Sequence, residues 1–213
     1  MAEPDGLLAI GGDLRPERLL EAYRMGIFPW YSEGDPILWW SPAPRLVLFP
    51  DEFHLPRRLS REIRRNTFTL KADTAFRQVI EQCARIRTEL GQGTWITDDM
   101  IEAYCLLHEV GFAHCIECWE NTDLVGGLYG VGLGRMFFGE SMFSRVSNSS
   151  KLALHALVRH ARQTGIEMID CQMKTQHLVR LGAREITRKE FHNELRRLLA
   201  HPEPQKKWRL QHG

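Results

Sequence analysis

Where polar groups interrupt apolar runs, this 213-residue chain offers places for chemistry. The segment EMIDCQM, residues 167–173, reads as a strand. Period-two alternation puts Met168, Asp170 and Gln172 on one face and Ile169, Cys171 and Met173 on the other. A carboxylate inside such an apolar strand is costly unless it is hydrogen-bonded or used. A second acid, Glu140, sits in RMFFGESMFS among Phe137, Phe138, Met142 and Phe143. Either acid alone could be structural, bonded to a neighbouring helix terminus. Two of them flanked by aromatics and methionine point to a site. A carboxylate there can accept a proton, whereas Gln172 cannot titrate and can only relay or orient by hydrogen bonding.

Other candidate motifs weaken on inspection. No phosphate-binding loop, HExxH or dinucleotide fingerprint is present. Gly130, Gly132 and Gly134 form a GxGxG string, but it lies between two strand-like runs and reads as a hairpin turn. Cys115 and Cys118 make a CxxC with no second pair or spaced histidine. Residues three apart on a strand face opposite ways, which argues against a shared zinc. No metal or other cofactor is expected.

The elements that must position these residues follow from local pattern. PERLLEAYR begins with Pro16, carries Leu19, Leu20 and Tyr23 at helical spacing, and meets Gly26 as a stop. Trp30, Tyr31, Trp39 and Trp40 then cluster among Pro29, Pro36, Pro42 and Pro44. Prolines forbid long regular elements there. The cluster is either a minor core or an exposed stacking surface, and the two readings stand near even.

From Arg45 the pattern is regular. Strand RLVLF precedes a helix HLPRRLSREIRRN, strand FTLKAD, and a helix TAFRQVIEQCARI with Phe76, Val79, Ile80 and Cys83 inward. TDDMIEAYCLLHEVG has Thr97 as N-cap and Gly111 as C-terminal stop. AHCIECWE, DLVGGLYGVGLG and RMFFGESMFS read as consecutive antiparallel strands with tight turns. A long helix over SNSSKLALHALVRHARQTG, capped by Ser147 or Asn148, leads to strand EMIDCQM. LVRLGAREI and KEFHNELRRLL complete the chain. The order β-α-β-α-α-β-β-β-α-β-α suggests an α+β fold, a mixed sheet with helices on its faces.

Composition is that of a globular protein, 43% hydrophobic and 26% charged, with net charge +1. No apolar run approaches the ~18 residues of a membrane span, and MAEPDGLLAIGGDL has an acidic opening unlike a signal peptide. Five cysteines, an odd count in a chain of this size, read as reduced thiols in a cytoplasm. The near-zero net charge conceals local extremes. Residues 1–44 hold three basic and seven acidic side chains, net −4. Arg57 to Arg65 holds five arginines and one glutamate, net +4, and Arg180 to the end is +5. On the helix, Arg57, Arg61, Arg64 and Arg65 project to one side and Leu59 and Ile63 to another. Such a face grips phosphates but reads no base identity. A solvated surface helix is the plainer alternative.

Taken with these residues, the strings GLLAIGGDL, AYRMGIFPWYSEGDPILWWSPAPR, QGTWIT, LVGGLYG, FFGESMFS, NSSKLAL and IDCQMKTQHLVRLGA resemble the bacterial leucyl/phenylalanyl-tRNA–protein transferases. They run in order from Gly6 to Ala183. The resemblance implies a small N-terminal domain, residues 1–43, and a catalytic domain, residues 44–213, with a GCN5-related N-acetyltransferase-like (GNAT) mixed sheet. It implies a monomeric cytoplasmic aminoacyltransferase of the leucyltransferase type. Its substrates would be leucyl-tRNA and phenylalanyl-tRNA, with methionine moved less readily, and proteins with an N-terminal Arg or Lys. The product would be an N-end rule degradation signal, made without metal, cofactor or acetyl-CoA.

The same resemblance implies residue roles. Asp170 and Gln172 would be catalytic, by an Asp–Gln relay or beside a substrate-assisted route. Leu128, Phe137, Met142 and Leu154 would form the aminoacyl side-chain pocket. Trp30 and Trp95 would meet the terminal adenosine, and Glu140 the cationic acceptor side chain. Arg57, Arg61, Arg64 and Arg65 would hold tRNA phosphates. Three departures stand out: many members carry more residues ahead of GLLAIGGDL, Cys115 and Cys118 replace the usual Ser or Val, and Arg180 replaces Ser. A CoA-dependent acetyltransferase is disfavoured, because Ser144–Ser150 lacks the expected glycine-rich loop. A non-catalytic RNA-binding module would leave Asp170 and Gln172 unexplained.

Overall fold

The computed structural model describes residues 6–65, 67–89, 91, 94–202 and 207–210. The first five residues and the last three of the expected domains, and Gln92 and Gly93 of QGTWIT, lie outside the described residues.

The proline-rich front builds only short pieces. Strand β1 (Leu7–Ile10), helix α1 (Pro16–Arg24), β2 (Phe28–Pro29) and β3 (Leu38–Trp40) form a three-stranded antiparallel sheet, ordered β1-β3-β2, with one helix. Gly26, at φ 74°, follows α1, where the left-handed turn suits glycine. A Cβ there would also meet the Phe191 ring at 2.6 Å.

The remaining strands form one seven-stranded sheet, ordered β10-β4-β9-β8-β7-β6-β5. In chain order these elements are β4 (Arg45–Leu48), α2 (Arg57–Arg65), β5 (Thr69–Ala72), α3 (Phe76–Glu89), α4 (Asp98–Glu109), β6 (Ala113–Glu120), β7 (Asp123–Leu133), β8 (Met136–Ser144), α5 (Ser149–Thr164), β9 (Met168–Gln172), α6 (Gln176–Val179), β10 (Arg184–Ile186) and α7 (Arg188–Leu199). β5 through β8 form an antiparallel meander, and β8 pairs with β9 in parallel. The fold is a mixed α+β arrangement, as the element order suggests.

The inward face of α3 is as expected, with Phe76, Val79, Ile80 and Cys83 all buried. Thr97 caps α4 by accepting from the Met100 N–H at 3.3 Å. One large apolar cluster unites α1, the small sheet, α3, α4 and α7 with one face of the large sheet. A second cluster joins α5 to the opposite face.

One reading is corrected and two gain detail. Gly130 and Gly132 belong to β7, and only Gly134, at φ 53°, lies in the turn before β8. Gly130 serves packing: a Cβ on it would lie 2.1 Å from the Phe138 carbonyl oxygen. The segment LVRLGAREI is split between α6 and the edge strand β10, too short to show a period of its own. Asn148 stands at the N-cap of α5 at φ 72° without a side-chain cap, while the Ser149 hydroxyl donates to Val125 and Val146 carbonyls. Cys115 and Cys118 lie in apolar clusters on opposite sides of β6.

Candidate active site

The site grows from the parting of two parallel strands. The β8–β9 ladder pairs Met136 with Met168, Phe137 with Ile169 and Phe138 with Asp170. Next to it, β9 carries an extra residue against β4, where Leu46 faces Gln172 and Val47 faces Asp170. Gln172 then adopts φ 60°, and the Met173 N–H donates to the Cys171 carbonyl at 2.8 Å. A two-residue hydrogen bond about a positive φ has the form of a γ-turn, a strained conformation for a non-glycine residue. Its effect is to end the strand and aim the Gln172 amide at Glu140, with Nε2 donating to Oε1 at 2.8 Å.

A cavity of about 420 Å³ opens at this point. Leu128, Phe137, Met142 and Leu154, from β7, β8 and α5, line its apolar part. Leu128 and Met142 are cross-strand partners, and Met142 is the more exposed of the two. Glu140, Gln172 and Trp95 line the same cavity. Trp30 lines an adjoining one of about 480 Å³, together with Trp40, Trp95 and Arg87. Trp30 meets Trp40 and Trp95 edge to face at 5.7 and 6.1 Å. The aromatic front therefore serves both readings left open by sequence. Trp39 is buried core, while Trp30 and Trp40 are half-buried at a cavity wall.

Glu140 is nearly enclosed. It accepts from the Tyr23 hydroxyl at 2.7 Å, the Tyr104 hydroxyl at 3.2 Å and the Gln172 amide. Burial pushes its carboxyl up to about 7, against the pull of these three donors, and the nearby Asp170 adds to the rise. Burial and the Glu140 charge together hold both tyrosines well above the ordinary phenol range, so they remain donors. Neither tyrosine stands out in sequence, because both occupy inward positions of ordinary amphipathic helices.

Asp170 takes a different place from the one its strand position suggests. It is fully buried and does not line the cavity. Its oxygens accept from Arg45 Nε at 2.9 Å and Nη2 at 2.8 Å, and Oδ1 also accepts the Gln172 N–H at 2.9 Å. Arg45, missed in sequence, also donates to the Gly26 carbonyl at 3.1 Å and lies over the Phe28 and Phe191 rings. An arginine opening a strand next to Pro44 gave no signal, because its partners come from three distant segments.

The expected phosphate-binding arginines of α2 do not line the cavity. Arg57, Arg61, Arg64 and Arg65 are exposed, while Leu59 is buried against a small cluster with Cys118, Val125 and Leu152. Among the described residues, no group of three His, Cys, Asp or Glu side chains is arranged to hold a metal. Among them too, no helix is long and apolar enough to cross a membrane.

Comparison with known proteins shows the family. Residues 47–196 match the family model described as leucyl/phenylalanyl-tRNA protein transferase, and residues 12–43 match its N-terminal domain. The leucyl/phenylalanyl-tRNA–protein transferase of Nitrosospira multiformis is 56% identical over 212 residues, 100% of this chain and 91% of its own. That of Desulfotalea psychrophila is 55% identical, covering 98% and 92% respectively. A solved aminoglycoside acetyltransferase from an uncultured soil sample covers 55% of this chain and 85% of its own at 12% identity, with a TM-score of 0.44. On the family match and these relatives, the chain belongs to the leucyl/phenylalanyl-tRNA–protein transferases.

Proposed function

We propose that this chain moves leucine or phenylalanine, and less readily methionine, from aminoacyl-tRNA to the N-terminal Arg or Lys of a protein, creating an N-end rule degradation signal. The observation that carries the reading is one cavity with an apolar floor, a buried acid hydrogen-bonded to Gln172, and a tryptophan-walled cavity beside it. The acyl side chain occupies the floor of Leu128, Phe137, Met142 and Leu154. Flexible Met142 adapts to either side chain. The terminal adenosine lies against Trp30 and Trp95, where stacking is worth about 1–3 kcal/mol per base. Glu140 faces the cationic acceptor, and Arg57, Arg61, Arg64 and Arg65 hold tRNA phosphates.

The ester is already activated, so alignment is the main task, and proximity contributes roughly 7–11 kcal/mol. An α-amino group has a pKa of about 7.7–8.0, which leaves a fair fraction neutral. Gln172 orients the amine. Asp170, with its oxygens engaged by Arg45, fixes the Gln172 backbone and acts by positioning. This favours the substrate-assisted route, in which the amine proton passes to the departing ribose oxygen.

The finer fold reading is GNAT-like, supported by the parallel β8–β9 pair that parts at the site and by α5 connecting the two strands. We place the domain boundary at residues 43/44, between the two sheets. The site is built from one chain, which suits a monomer, and an aminoacyl-tRNA substrate suits the cytoplasm. Incubation with charged leucyl-tRNA and an Arg-initiated peptide tests the proposal. Leucyl-peptide should form with Arg- and Lys-initiated peptides and not with a Glu-initiated one. Formation of acetyl-peptide from acetyl-CoA instead would refute it.

A further inference from the structure

Arg87, in the last turn of α3, lines both cavities, a position it shares with Trp95. Its guanidinium carbon stands 3.8 Å from the centre of the Trp95 ring, which fixes the fork in place. Its Nε is buried without a hydrogen-bond partner among the described residues. Nearby charges are handled differently: Arg85 and Arg145 both pair with Glu89, at 3.6 and 3.3 Å. No ion pair among the described residues includes Arg87. A buried donor left unmade is costly, so an acceptor is expected from a ligand.

We infer that Arg87 stabilises the negative charge that develops on the ester carbonyl oxygen during aminoacyl transfer. This rests on the proposed placement of acyl group and adenosine. With the side chain in one cavity and the base in the other, the ester and the ribose 2′ and 3′ oxygens fall at the junction. The amine lone pair forms the C–N bond while the carbonyl π pair moves onto oxygen. Collapse restores the C=O and breaks the C–O bond to ribose, whose oxygen leaves with a proton from the attacking nitrogen. A cation held unneutralised before the reaction, in a half-buried site, favours the charged intermediate over the neutral ester.

The test is single-turnover transfer from phenylalanyl-tRNA to an Arg-initiated peptide. Arg87→Gln should slow the step by roughly 10²–10³-fold, with the KM for tRNA changed less than about threefold. Arg87→Lys should recover part of the rate, and thermal melting of both variants checks that they fold. A single-turnover rate within about twofold of wild type, or a loss confined to KM, overturns the inference. Inhibition by adenosine monophosphate in wild type and Trp30→Ala separates the two readings. Inhibition unchanged by Trp30→Ala removes the base placement and this inference with it. A weakened inhibitor together with an unaffected Arg87→Gln rate overturns the inference alone.

Discussion

Glu140 binds its proton more tightly in the folded protein than in the unfolded chain, and the sign of that difference has consequences. Its carboxyl sits at about 7, raised from 4.5 chiefly by burial. Between those values the folded protein holds a proton that the unfolded chain has released. Stability therefore falls as pH rises from 4.5 to 7, and the full penalty is present above that window. We predict that wild type loses up to about 3 kcal/mol relative to Glu140→Gln between about pH 4 and pH 8. Urea unfolding of both proteins measures it, and a pH-independent difference contradicts the assignment. The KM for an Arg-initiated peptide should fall as pH rises through about 7 in wild type and show no such fall in the variant, while the KM for tRNA is unaffected. Arg45 and Asp170 behave as a different kind of pair, both enclosed and mutually neutralising. Asp170→Asn leaves a buried guanidinium uncompensated and should cost about 3–5 kcal/mol. Arg45→Met combined with Asp170→Leu should recover most of that stability without restoring transfer, because Gln172 has lost its anchor.

At the scale of elements, the pocket is one cross-strand pair on β7 and β8 roofed by α5. Replacing Met142 by Ala enlarges the space over Leu128 and should raise the Phe-to-Leu ratio of kcat/KM by roughly tenfold, since one methylene is worth about 1–3 kcal/mol. Competition between the two charged tRNAs reads the ratio, and an unchanged value removes Met142 from the pocket. Elements with their own period were legible in sequence: α3 showed its inward residues, α4 its Thr97 cap, and the meander its consecutive strands. The site was legible only in part. Gln172 shares a strand with Asp170, yet the extra residue against β4 and the positive φ decide where it points, and a bulge leaves no mark on a two-residue period. Glu117 realises the structural alternative raised for the other acids. It accepts the N–H groups of Thr74 and Ala75, at 2.6 and 2.8 Å, just before α3. Sequence could not separate that acid from Glu140, because the difference lies in which helix end the sheet brings near.

The whole molecule carries two basic regions, α2 and the stretch from Arg180 to the end, and composition alone ranks the latter slightly higher. Ion pairing takes up part of the charge of the latter. Arg184 pairs with Glu52 at 2.9 Å, and Arg197 with Glu167 and Glu194 at 2.8 and 2.7 Å. Lys174 at the same end pairs with Glu185 at 2.5 Å. On α2 the ion pair among the described residues is Arg65 with Glu62, at 3.8 Å. Its exposed arginines are thus freer to exchange counterions for phosphates, and a buried Leu59 beneath them lets the outer face change without unfolding the helix. Each phosphate contact contributes about 0.7–0.9 to the slope of log KM against log salt. Replacing Arg57, Arg61, Arg64 and Arg65 by Ser should therefore flatten that slope for tRNA by up to about 3, leaving transfer at saturating tRNA unchanged. Arg184→Ser, which removes a charge already neutralised, should leave the slope as it is. If the Arg184 variant flattens it and the α2 variant does not, the tRNA lies along the other basic region and α2 is a solvated face.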